Sequence, residues 1–234
     1  MKKGIILSSI IFCYLFNVYL LYSQEKNIPF QFDHENLQKL TNNPESQYYY
    51  AKLLNRFLEN DTTLTHHELF LLCYGYSQSE NYAPYSHSHI EDSLYQLNDD
   101  GNYKQALEFG KQYLKINPVS ITGNVEMAYA YKKLGLIDLE KIHYNRYIHL
   151  IKCLLVHGTG NSIDDPYIVF NPRDEYRVIG YLGYQRTQQA LIVDSLGQHY
   201  DVLTVVPKNK KETERDIYFY IEIPFSQLSK LFKN

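Results

Sequence analysis

The sequence predicts an α+β fold, an N-terminal array of helical hairpins followed by a small antiparallel β meander. Three observations predict it. Residues 90–151 hold two copies of a helix–turn–helix pattern 34 residues apart: Gly101 is answered by Gly135, Tyr103 by Ile137, Leu97 by Tyr131, Tyr113 by Tyr147 and Leu114 by Ile148. A fixed period of this length belongs to helical hairpins stacked side by side. Beyond Gly158 the apolar spacing changes from helical to alternating. The chain also carries 24 Tyr and 11 Phe with no Trp, enough aromatic surface to fill a core and leave phenol groups at its margins.

Met1-Lys2-Lys3 is a positive start, residues 5–21 are nearly all apolar, and Leu21-Tyr22-Ser23 precedes Gln24. This is the pattern of a secretory signal peptide over residues 1–23, cut after Ser23. The alternative is an uncleaved anchor, since residues 5–22 are about long enough to span a bilayer. Phe12 before Cys13 argues against lipid attachment there. The expected location is therefore exported: periplasm, cell envelope or outside the cell. The rest of the chain has 21 of the 23 basic side chains against all 26 acidic ones, a net of −5. With no basic stripe, nucleic acid is not an expected partner, and a membrane is one only through a retained leader.

Residues 24–157 form the expected helical region. Residues 24–33 look extended. Asn43-Pro44-Glu45 predicts a helix start, with Asn43 as cap and Pro44 at the first helical position. Tyr50, Leu53, Leu54, Phe57 and Leu58 then share one face. Thr65-His66-His67-Glu68 predicts a capping box, followed by Leu69, Leu72, Cys73 and Tyr76 on one face. This hairpin caps the two repeats. Asn81-Tyr82-Ala83-Pro84-Tyr85 is an aromatic connector. In the first repeat Gly101 closes one helix, small Ala106 lets two helices approach, and Asn117-Pro118 ends the second. The last long helix runs over residues 138–156.

Gly101, Tyr103, Ala106 and Pro118, and then Ala128, Tyr131, Gly135 and Tyr144, resemble the tetratricopeptide repeat. Glu140 and Lys152 depart from its pattern, standing where it has a small residue and its terminal proline. The resemblance implies an interaction scaffold; a plain packed helical core is the alternative.

Residues 158–234 form the expected β region. Gly158-Thr159-Gly160-Asn161-Ser162 is a loop. Residues 177–184, 190–193, 200–206 and 217–223 alternate as four short strands. Ser195-Leu196-Gly197-Gln198 is a turn, residues 208–216 are a charged hairpin loop, and Pro224-Phe225 starts a final short helix. The apolar face of such a meander has to be covered, most simply by the helical region.

A second resemblance spans nearly the whole mature chain. Asp61-Thr62-Thr63-Leu64-Thr65, Tyr74-Gly75-Tyr76, Tyr82-Ala83-Pro84-Tyr85, Asp174-Glu175-Tyr176 and Ile217-Tyr218-Phe219 resemble the signature of an uncharacterised family of exported bacterial proteins, described only as a domain of unknown function. It implies no reaction and no cofactor.

Each candidate chemistry has a plainer reading. Cys153 and His157 share a helix face, but at a helix C-terminus the dipole disfavours a thiolate. His157 there complements the dipole, and Cys73 and Cys153 read as buried thiols, with pairing as the alternative in an oxidising compartment. His66, His67, Glu68, His87 and His89 match no zinc spacing. Gly158-Thr159-Gly160 follows a helix and lacks the third glycine of a dinucleotide loop. Asp164-Asp165 and Asp174-Glu175 are paired acids of the kind glycoside hydrolysis uses. Tyr74, Tyr76, Tyr82 and Tyr85 are candidates for a ligand or partner surface, with core packing as the alternative. The expected function is a non-enzymatic protein-interaction scaffold of the cell envelope whose partner is another protein. The alternative is a secreted hydrolase using acids around Asp164 to Glu175.

Overall fold

Side-chain caps at Asp33, Thr65, Ser120 and Asn171 set where four of the described helices begin. The computed structural model describes residues 30–208 and 213–231, and residues 31–234 form one compact unit. The expected leader and the tip of the charged hairpin loop lie outside the described residues. Among the described residues, no helix is long and apolar enough to cross a membrane.

Helix α1, His34–Asn42, starts at Asp33, whose Oδ1 accepts the Asn36 amide at 3.0 Å; it begins directly after the stretch expected to be extended. The Asn43-Pro44 start is not a helix start. Asn43 Oδ1 accepts the Glu45 amide and Ser46 Oγ accepts the Tyr48 amide, each at 3.0 Å. Side chains that bond the nearby backbone hold it in turns rather than a helix, and α2 spans Tyr50–Leu58. Helix α3, His66–Ser77, has the expected capping box: Thr65 Oγ1 accepts the Glu68 amide while Glu68 accepts the Thr65 amide. Residues 69–77 of α3 are buried all round, so it is a central helix and not an amphipathic surface one.

Four helices follow: α4 Ser88–Asp99, α5 Tyr103–Ile116, α6 Ile121–Lys133 and α7 Ile137–Leu154. Leu94, Ala106, Leu107, Met127, Ala130 and Tyr131 form one buried cluster across α4, α5 and α6. Gly101 and Gly135 both take positive φ, +76° and +72°. The hydrogen bonds around them match: Asn102 N donates to Leu97 O at 2.8 Å, and Leu136 N to Tyr131 O at 2.9 Å. These are the six-to-one bonds of a glycine-closed helix end, and they recur 34 residues apart.

The sheet has strands β1 Tyr167–Ile168, β2 Tyr184–Val193, β3 His199–Pro207 and β4 Arg215–Tyr220, in the order β1-β4-β3-β2. The antiparallel meander is β2–β3–β4. The sheet is nonetheless mixed, because β1 pairs with β4 in parallel, Tyr167 opposite Phe219. Residues 177–181 are not a strand but the end of helix α8, Pro172–Tyr181. Asn171 Oδ1 accepts the Arg173 amide at 3.0 Å, Pro172 takes the first helical position, and Asp174, Glu175, Val178 and Ile179 turn inward at helical spacing. Asp194 accepts the Leu196 and Gln198 amides in the β2–β3 turn. The last helix, α9, is Glu222–Leu231.

Candidate functional site

Helix α8 carries the acidic residues inward, and the helical array meets them. Its first turn buries Asp174 and Glu175. Burial holds both carboxyls well above the usual carboxylate range, with the Glu91 charge adding to it at Asp174 and Asp201 adding to it at Glu175. Asp201 of β3 lies beside Glu175. Neither Glu175 oxygen has a hydrogen-bond partner among the described residues. Burial without a donor disfavours the charged form of a carboxyl, so the Glu175 site favours its protonated form. Glu91 of α4 is buried and accepts from the Tyr113 hydroxyl at 2.7 Å and from Ser120 at 2.8 Å. Arg173 and Arg177 tie α8 to the array: Arg173 Nη2 reaches Asp92 at 2.7 Å and Arg177 Nη2 reaches Glu126 at 3.4 Å.

Tyr76, Tyr82 and Tyr85 lie beside this cluster, and Tyr74 lies against Phe32 and His34. Tyr74 donates to the His34 carbonyl at 3.0 Å and Tyr76 to that of Asn81 at 3.1 Å. Tyr82 donates to Phe170 at 2.6 Å. All three are buried, and Tyr76 meets Tyr82 edge to face at 5.8 Å. Their hydroxyls thus pin three chain segments to α3 and the connector after it. Tyr85 is half-buried, and burial with the nearby Asp201 and Glu175 charges pushes its phenol up to about 12. A small cavity of about 20 Å³ touches Tyr76, Tyr82, His87, Ser120 and Asp174, room for a single water.

The acids of the expected hydrolase are divided. Asp164 is exposed on the loop after α7, where Asp165 accepts from the Thr159 hydroxyl. Asp174 and Glu175 are interior. The histidines are dispersed as well: His66 lies against His149, His67 against His157, and His87 against Tyr113. Cys73 and Cys153 are free, buried neighbours. Burial pushes the Cys153 thiol well up, and its Sγ donates to the Leu150 carbonyl. His157 is half-buried over the Phe70 ring, and burial lowers its pKa, which makes it a poor charge complement for the helix end.

Sequence reasoning missed Glu91, Asp201 and Arg146. Glu91 sits three residues before Leu94, on the inward face of α4; that spacing is its signal. Asp201 lies in an otherwise apolar strand segment, Tyr200-Asp201-Val202-Leu203.

Fold and site together define an α+β protein in which a helical array and a small mixed sheet enclose a cluster of buried carboxyl groups. The chain belongs to a family known only as a domain of unknown function, DUF4919, whose model matches residues 35–230. No curated protein and no solved structure matches it.

Proposed function

We propose that the protein is an exported, non-catalytic module of the cell envelope that binds another protein through its helical surface, with the two central hairpins acting as tetratricopeptide-like repeats. The observation that carries this reading is the outer surface of the α6–α7 hairpin. Tyr129, Leu136, Ile137, Leu139 and Tyr144 are each 42–47% exposed there. Leu136, Ile137 and Leu139 fall within four residues at the α6–α7 turn, and exposed apolar side chains so grouped mark binding surfaces, whereas single ones need no explanation. Open grooves lined by Leu97 and Phe109, and by Leu107, Leu134 and Leu136, run beside them. The leader pattern of residues 1–23 supports export. The Glu175–Asp201 pair is what a hydrolase reading would use, but Glu175 is fully buried, and the cavity at Asp174 admits one water. The pair therefore favours a structural role.

The test is a cross-linking pull-down from envelope extract with wild type, the L136D/L139D variant and L191D, a charge on the exposed face of β2. The expected outcome is one protein captured by wild type and L191D and lost with L136D/L139D. Equal capture by all three, or capture of nothing by a folded bait, overturns the reading. An alkaline-phosphatase fusion that stays inactive overturns export.

A further inference from the structure

A pocket of about 150 Å³ opens between the α2–α3 turn and α7, away from the carboxyl cluster. Phe57, Leu64, Leu69 and Ile142 supply its apolar walls, and Thr62 and Asn145 are polar groups in its lining. A cavity of this size takes one benzene ring.

Arg146 of α7 lines the same pocket. Its Nη2 donates to the Phe57 and Leu58 carbonyls at 3.2 and 3.0 Å, and its Cζ stands 5.0 Å from the centre of the Phe57 ring. These contacts fix the guanidinium across the last turn of α2. Its Nε, however, is buried with no hydrogen-bond partner, and no ion pair involves Arg146 among the described residues. The neighbouring Arg56 is the contrast: it bridges Asp61 at 2.7 Å and Glu68 at 2.6 Å. Asp61, also in the pocket lining, is taken up by Arg56 and Thr63. On its own helix Arg146 has Ile142, His143, His149 and Leu150 three and four residues away, and none is acidic. A buried donor without an acceptor is costly, and so is a half-buried cation without a counter-charge.

We propose that this pocket binds a small monocarboxylate with a compact apolar body, the carboxylate on the Arg146 guanidinium and the body against Phe57, Leu64, Leu69 and Ile142. A carboxylate suits a guanidinium and supplies the missing counter-charge. Asp61 at the same pocket disfavours a doubly charged group such as phosphate. The inference is independent of the protein-binding reading, because it concerns α2 and α7 rather than the α6–α7 hairpin tip.

The test uses benzoate on the full-length chain, with benzamide and benzylamine as comparators, followed by the NMR signal of the Arg146 Nε–H. The expected result is a saturable shift of that signal with benzoate. R146Q is expected to weaken binding by at least about tenfold. Because Arg146 also holds the end of α2, R146Q tests folding as well as binding, so N145W is the second variant. Asn145 is exposed on α7, and an indole there fills the pocket and leaves the guanidinium in place. N145W is expected to abolish the shift without loss of helical circular dichroism. Non-saturable benzoate, unchanged binding in N145W, or benzamide binding as tightly as benzoate overturns the proposal.

Discussion

Glu175 of α8 lies beside Asp201 of β3, and the Glu175 carboxyl is fully buried without a hydrogen-bond donor among the described residues. Burial raises the Glu175 pKa, and Asp201 raises it further. A raised acid binds its proton more tightly folded than unfolded, so its contribution to stability is present below the unfolded pKa and is lost as pH rises through the folded one. Above about pH 4.3, the unfolded value for Glu, each such group lowers stability at about 1.4 kcal/mol per pH unit until its folded pKa is reached. Glu175→Gln keeps the shape and a donor without the titration. It is expected to raise the neutral-pH urea midpoint and to flatten the fall in stability above pH 4.3. A variant that follows the wild-type pH curve would show that Glu175 is not held protonated.

Tyr113 is the second test of the interior polar groups. Its hydroxyl and that of Ser120 both donate to Glu91 Oε1, and Glu91 is 2% exposed. Tyr113→Phe removes one of two donors to a buried acceptor. Leaving such a group short of partners costs about 1–3 kcal/mol. Urea unfolding of Tyr113→Phe should show a loss in that range, with Ser120→Ala/Tyr113→Phe losing more than the two singles added together, because the last donor is then gone.

Much of the helical layout was legible. The Thr65–Glu68 box and the glycines at 101 and 135 are local signals, and local geometry decides them. Two identical-looking signals came out differently. Asn43-Pro44 forms a turn, because Ser46 offers the backbone a competing bond. Asn171-Pro172 starts α8, although the residues after it alternate like a strand. There burial of Asp174, Glu175, Val178 and Ile179 on one face decides the matter, and which face is buried is a tertiary fact. Strand β1 was hidden because two residues carry no periodicity. The interior position of the acids and of Tyr74, Tyr76 and Tyr82 was equally hidden, since a polar residue in sequence does not announce its burial. Arg146 did leave a trace, a basic residue with no acid one turn away on its helix.

Gly110 of α5 faces Met127 of α6 at a spacing that only a glycine allows. A Cβ at Gly110 would stand 2.3 Å from Met127 Sδ, 3.0 Å from its Cγ and 3.4 Å from Leu94 Cδ1. Met127 and Leu94 are both fully buried, so neither can swing into solvent to make room. At an open helical position Gly→Ala gains up to about 1 kcal/mol from backbone entropy. Gly180 of α8 is such a position, with nothing within 4 Å of a Cβ, and G180A is expected to raise the urea midpoint. At Gly110 overpacking costs about 1–3 kcal/mol and outweighs the same gain, so G110A is expected to lower the midpoint although the residue change is identical. Truncating the obstacle tests the cause. M127A alone costs about 2–5 kcal/mol through its cavity, and G110A/M127A should lose less than the two singles added, by about 1 kcal/mol, because the new methyl enters space the methionine has left. If G110A stabilised the protein as G180A does, the α5–α6 contact would be looser than these distances, and the close helix approach that sets the array would have to be abandoned.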